Sequence, residues 1–99
     1  MATRTIYGQV ESNGNVLAGA GFQSARVSAG VYTIDFTQDF TNSPAVNITP
    51  IGYDNNVYNI RHVFITAPSS GQCIVYLFNT SSPPAPLDSR FNFIAIGED

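Results

Sequence analysis

Gly30-Val-Tyr-Thr-Ile-Asp-Phe-Thr-Gln-Asp-Phe-Thr-Asn-Ser-Pro-Ala-Val-Asn-Ile-Thr49 is the stretch that decides the fold class of this chain. Two short apolar runs, each alternating with period two, flank a polar corner, so strands are expected over residues 31–36 and 45–52. Successive strand side chains face opposite ways. Tyr32, Ile34 and Phe36 therefore share one face of the first strand, and Val31, Thr33 and Asp35 the other. Asn42-Ser43-Pro44 carries the turn chemistry, and Pro44 has no N–H to give the ladder at the start of the next strand. Phe40 is expected to tuck into the corner. The pattern predicts a small β-sandwich rather than an enzyme scaffold.

Outward from this segment the same grammar continues. Strands are expected over 5–11, 16–18, 22–28, 57–67, 72–79 and 90–97, separated by Gly, Asn, Ser and Pro. Asn13-Gly14 marks a hairpin because both residues tolerate positive φ. Gly19-Ala20-Gly21 reads as a kink, and Ala29-Gly30 and Pro68-Ser69-Ser70-Gly71 as turns. Residues 80–89 hold three prolines and are expected to be extended, polyproline-like and without a ladder of their own. No window carries a 3.6-residue apolar period. The expectation is all-β: one antiparallel, jelly-roll-like sandwich domain over residues 1–99, with about eight short strands and almost no helix.

Composition limits what such a domain can do. A 99-residue chain is near the small end of what folds alone, and small domains are usually reinforced by disulfides, a metal or assembly. Cys73 and His62 are the sole cysteine and histidine, which removes an internal disulfide and argues against a thiolate or imidazole metal site. Assembly is the remaining route. Only 11% of residues are charged, against about a quarter in ordinary domains, while 43% are hydrophobic. There is no lysine, and Arg4, Arg26, Arg61 and Arg90 are scattered in a chain of net charge −3, so nucleic acid is an unsuitable partner. No apolar run approaches the ~20 residues of a membrane-spanning helix. The N-terminus lacks a hydrophobic signal core, so synthesis in a cytoplasm is expected, with a virion or later release as destination.

Two strands are apolar on both faces. Ile74, Tyr76 and Phe78 lie opposite Cys73, Val75 and Leu77, and Ile94 and Ile96 opposite Phe91, Phe93 and Ala95. A lone antiparallel sandwich turns one face of each sheet to water and should alternate more cleanly. Two-sided apolar strands imply a second contact surface, most simply between identical subunits.

The positions Gly30-x-Tyr32-x-Ile34-x-Phe36, then Phe40, Pro44 and Val46, then Phe91-x-Phe93-Ile-Ala-Ile-Gly97, resemble small trimer-forming β-sandwich domains. Such domains occur at phage tail-fibre tips, in C1q-like modules and in H-type lectins. The resemblance runs over residues 5–97 in strand order and is carried by packing positions. It implies a homotrimer, or a dimer of trimers, that recognises cell-surface glycans. The paired cysteines of H-type lectins have no counterpart here, and their glycan-binding positions find no match.

The ligand candidates read from the residues themselves are Tyr53, Asp54, Asn55, Asn56 and Tyr58, where aromatic faces alternate with hydrogen-bonding side chains in a loop. The same residues suit any β-turn. Asp54 alone is too little carboxylate for calcium. Arg61 and His62 are adjacent and should point to opposite faces of a strand, and Asp88 and Arg90 flank Ser89 as either a local ion pair or a bidentate glycan contact. For catalysis, Cys73–His62 and Asp35–Asp39 are the available pairs, but Cys73 lies in an expected core strand and the two Asp straddle a strand end. No nucleophile elbow or phosphate-cradling glycine loop is present. The sequence reading is a non-enzymatic recognition module without a cofactor, or a purely structural trimerisation, fibre or capsid-decoration domain.

Overall fold

The computed structural model describes residues 2–51, 62–79 and 83–99. Eight strands run in the order β1 (Thr3–Val10), β2 (Val16–Gly19), β3 (Phe22–Ser28), β4 (Val31–Phe36), β5 (Ala45–Ile51), β6 (His62–Ile65), β7 (Gln72–Phe78) and β8 (Arg90–Glu98). They form two four-stranded antiparallel sheets, which we call A (β2-β1-β8-β5) and B (β3-β4-β7-β6). Among the described residues there is no helix. The fold is the expected all-β sandwich.

The polar corner between β4 and β5 is a crossing between layers. β4 lies second in sheet B and β5 at the edge of sheet A, so residues 37–44 carry the chain from one sheet to the other. Phe40 is buried there, edge-on to Phe36 with ring centroids 5.1 Å apart. Arg4 lies over the Phe40 ring at 4.2 Å and donates from Nη2 to the Gln38 carbonyl at 2.7 Å, fastening the corner to the start of β1. Its Nε has no hydrogen-bond partner among the described residues and faces Asp99 Oδ1 at 3.7 Å.

The core sits between the sheets and is made of alternate residues, as the period-two pattern requires. Tyr32, Ile34 and Phe36 on β4 and Cys73, Val75 and Leu77 on β7 face Val10 on β1 and Phe91, Phe93 and Ala95 on β8. Two edge-to-face ring pairs bridge the layers: Phe22 with Phe93 at 4.7 Å and Tyr32 with Phe91 at 5.3 Å. Such pairs contribute about 0.5–1.5 kcal/mol each beyond the area they bury. The Phe22 ring comes so close to β1 that a Cβ on Gly8 would overlap it, so glycine there is a packing requirement. At the β1–β2 turn, Gly14 adopts φ 95° and its N–H donates to the Glu11 carbonyl at 2.8 Å, the hairpin expected from Asn13-Gly14.

Three sequence expectations need adjustment. The strand expected over 57–67 is seen as His62–Ile65 within the described residues, since residues 52–61 lie outside them. β1 starts at Thr3 rather than residue 5, because β8 offers it a full antiparallel partner from Thr3↔Glu98 to Val10↔Phe91. The proline-rich stretch is not without ladder contacts. Pro86 bridges Phe78, the Asn79 N–H donates to the Ala85 carbonyl at 2.9 Å, and the Leu87 N–H donates to the Leu77 carbonyl at 3.0 Å. Proline is tolerated because these donors belong to its neighbours, not to the ring nitrogen.

Candidate functional site

Of the residues singled out in the sequence, Tyr53, Asp54, Asn55, Asn56, Tyr58 and Arg61 lie outside the described residues. Asp88 and Arg90 do not pair with each other as a local ion pair. Asp88 accepts from Arg26 Nε at 2.9 Å through one oxygen and from the Gly30 N–H at 2.8 Å through the other. Burial pushes the Asp88 carboxyl up, but the Arg26 and Gly30 bonds outweigh it and hold the group below the usual carboxylate range. Arg90 clasps Glu11 through Nε at 3.3 Å and Nη2 at 2.7 Å. That bond and the Ser12 N–H take Glu11 down to about 2. Both candidates tie the β1–β2 turn and the β3–β4 turn to the approach of β8.

The same end of the sandwich is sealed from within. Tyr32 Oη donates to the Ser12 carbonyl at 2.7 Å and accepts from the Ser89 N–H at 3.2 Å. Burial raises the Tyr32 phenol to about 12. Ser89, the one polar side chain among the buried residues described, donates to the Arg90 carbonyl at 2.9 Å.

His62 is different. It is exposed on β6, directly across from Phe78 on β7. Two residues on, Phe64 faces Tyr76 across the same pair and is 53% exposed despite its size. The Phe64 ring is nearly parallel to both Tyr76 (5.2 Å, 16°) and Phe78 (5.5 Å, 12°). Strand neighbours on one face lie about 5 Å apart, so aromatic side chains there stack side by side. Pro84, carried over β7 by the Pro86 bridge, closes the other side. His62, Phe64, Phe78 and Pro84 line an open hollow of about 390 Å³. Its walls are mostly apolar, with few polar groups at the margin.

The sequence puts Tyr76 and Phe78 on one apolar face of a two-sided strand, read as implying a second contact surface, but does not join them to Phe64 and His62. The missing signal was the β6–β7 register, which alternation within either strand does not supply. Cys73 and His62 cannot form a dyad, since Cys73 points into the core and His62 to the outer face of the same sheet. Burial raises the Cys73 thiol to about 11, which disfavours a thiolate. Asp35 accepts from Gln72 Nε2 at 2.8 Å on the outer face of sheet B, a cross-strand contact. Among the described residues no group of three His, Cys, Asp or Glu side chains could hold a metal ion. Comparison with known protein families, curated proteins and solved structures finds no match to this chain.

Proposed function

We propose that this chain is a non-enzymatic recognition module that works as a homo-oligomer, a trimer, and binds a sugar ring of a surface glycan in the hollow beside Phe64. The observation that supports this most is the aromatic stack Phe64–Tyr76–Phe78, in which Phe64 is half open to solvent, with His62 and Pro84 at its margin. A pyranose has an apolar C–H face and a hydroxyl rim. An aromatic wall suits the first, and an imidazole, which can donate or accept, suits the second. Large rings on a soluble surface cost free energy unless something covers them, so an uncovered stack on a rigid sheet is an argument for a ligand. The setting that fits is a receptor-facing element of a virion, such as a tail-fibre tip.

A second reading is a structural module without a ligand, a trimerisation, fibre or capsid-decoration domain. It is favoured by a different observation: Tyr7, Leu17, Ile94 and Ile96 are exposed on the opposite sheet, where no sugar-sized aromatic wall exists among the described residues. A glycan array, followed by titration calorimetry of any hit, separates the two. Under the recognition reading a glycan binds, and Phe64→Ala weakens it by about two- to tenfold, in line with loss of one stacking ring, while the oligomer mass is unchanged. No binding at millimolar glycan concentration transfers the case to the structural reading.

A further inference from the structure

We propose that copies of this chain meet through the outer face of sheet A, with Tyr7 of one copy seated in the hollow beside Tyr7 of the next. This rests on the oligomer named above and assigns its contact surface.

The antiparallel registers place the residues of this face in rows. Tyr7, Ile94 and Asn47 stand side by side, as do Thr5, Ile96 and Ala45, and Gln9, Asn92 and Thr49. Tyr7 is 65% exposed, and Ile94 and Ile96 are each 46% exposed. Tyr7, Gln9, Ala18, Asn92 and Ile94 line a hollow of about 340 Å³ on this face. A protruding phenol and a separate hollow next to it let each copy receive the tyrosine of the next, a head-to-tail contact that can close into a ring of three. Buried aromatic anchors set in such hollows are where interface energy concentrates.

Charge points to the same occupant. Between Arg90, clamped to Glu11 at one end, and Glu98 at the other, the outer rows of β1 and β8 carry no carboxylate or guanidinium. Gln9 Nε2 donates to Asn92 Oδ1 at 3.1 Å, and the other polar residues of these rows, Thr5, Asn47 and Thr49, are neutral. An apolar, charge-free centre inside a polar margin is the anatomy of a subunit contact. The chain as a whole is acidic, with a net charge of −3. Two acidic copies approach with least repulsion where neither carries charge, and the outer face of sheet A meets that condition, whereas sheet B presents Asp35. Contact through sheet A also leaves the Phe64 hollow, on the opposite face of the sandwich, open in every copy.

The test is light scattering after gel filtration of the full chain at about 100 µM, well above the dissociation constants of stable assemblies. The native chain is expected at a multiple of 10.7 kDa. Read across a dilution series, Ile94→Lys and Tyr7→Glu are expected to raise the concentration at which the oligomer forms by roughly 30-fold or more, the size of an anchor at an interface centre, with an unchanged far-ultraviolet spectrum. Phe64→Ala is expected to keep the native mass. Should both charged variants fail to fold, nitration of Tyr7 by tetranitromethane in the native chain decides: protection at high concentration and reaction on dilution support the contact, and equal reaction at both overturns it. An oligomer whose concentration midpoint is unmoved by Tyr7→Glu and Ile94→Lys, or glycan binding lost in Tyr7→Glu at unchanged mass, overturns this surface while leaving the oligomer and the recognition reading intact. A native chain that stays single overturns both the surface and the oligomer.

Discussion

Tyr32 shows how one residue does two jobs that its neighbours cannot share. Its ring packs edge-on to Phe91 in the core, and its hydroxyl closes the end of the sandwich between the Ser12 carbonyl and the Ser89 N–H. Tyr32→Phe keeps the ring and strands the buried Ser89 N–H. Leaving one buried partner unsatisfied costs about 1–3 kcal/mol, so urea unfolding should show a lowered midpoint with an unchanged slope; a midpoint equal to that of the native chain would show that water replaces the phenol. The ring was legible in the sequence, since Tyr32 alternates with Ile34 and Phe36. Its hydroxyl's partners were not, because Ser12 and Ser89 reach it only through folds of the chain 20 and 57 residues away.

At the scale of elements, short turns are fastened to strands by ion pairs rather than by their own length. The Glu11–Arg90 clasp joins the β1–β2 turn to the start of β8, and Asp88 joins Arg26 on β3 to the β3–β4 turn at Gly30. Because the folded Glu11 sits near 2, below its ordinary 4.5, the unfolded chain binds its proton first as pH falls. Its contribution is therefore complete above about 4.5 and is lost as pH drops toward 2. Glu11→Gln should flatten the acid limb of the stability curve across that window, measured as thermal midpoint against pH; an acid limb as steep as that of the native chain would place the acid sensitivity elsewhere. In the sequence Asp88 and Arg90 read as either a local ion pair or a shared glycan contact. Strand geometry sends each to a different turn, and only the sheet order reveals the partners.

For the whole molecule, the question is how a sandwich of this size is held together with no disulfide. The β1–β8 ladder pairs the first and last strands at the centre of sheet A, and the rings of Phe91 and Phe93 reach from it into sheet B. Phe93→Ala removes a fully buried ring from the middle of this arrangement, a change that costs about 3–5 kcal/mol in protein cores. Small domains have about 5–15 kcal/mol in total, so the variant should lose cooperative melting well below the native midpoint by calorimetry; a shift of only a degree or two would mean that the two sheets do not depend on this ring pair. The hydrophobic residues left over after the core is filled stand on the two outer faces. That surplus gives the molecule two opposed apolar surfaces with different chemistry, an aromatic hollow and a neutral strip.

The sequence by itself determined the class of the fold, nearly all strand positions and which residues point inward, because strand alternation is a local property that side chains write directly into the order of the chain. It also held the two-sided apolar strands, since those too are local. What only the tertiary structure decided is which outward residues meet: Phe64 with Tyr76 and Phe78, Tyr7 with Ile94, Arg90 with Glu11. Those meetings depend on strand order and register between segments distant in sequence, which are fixed by packing of the whole core rather than by any single segment.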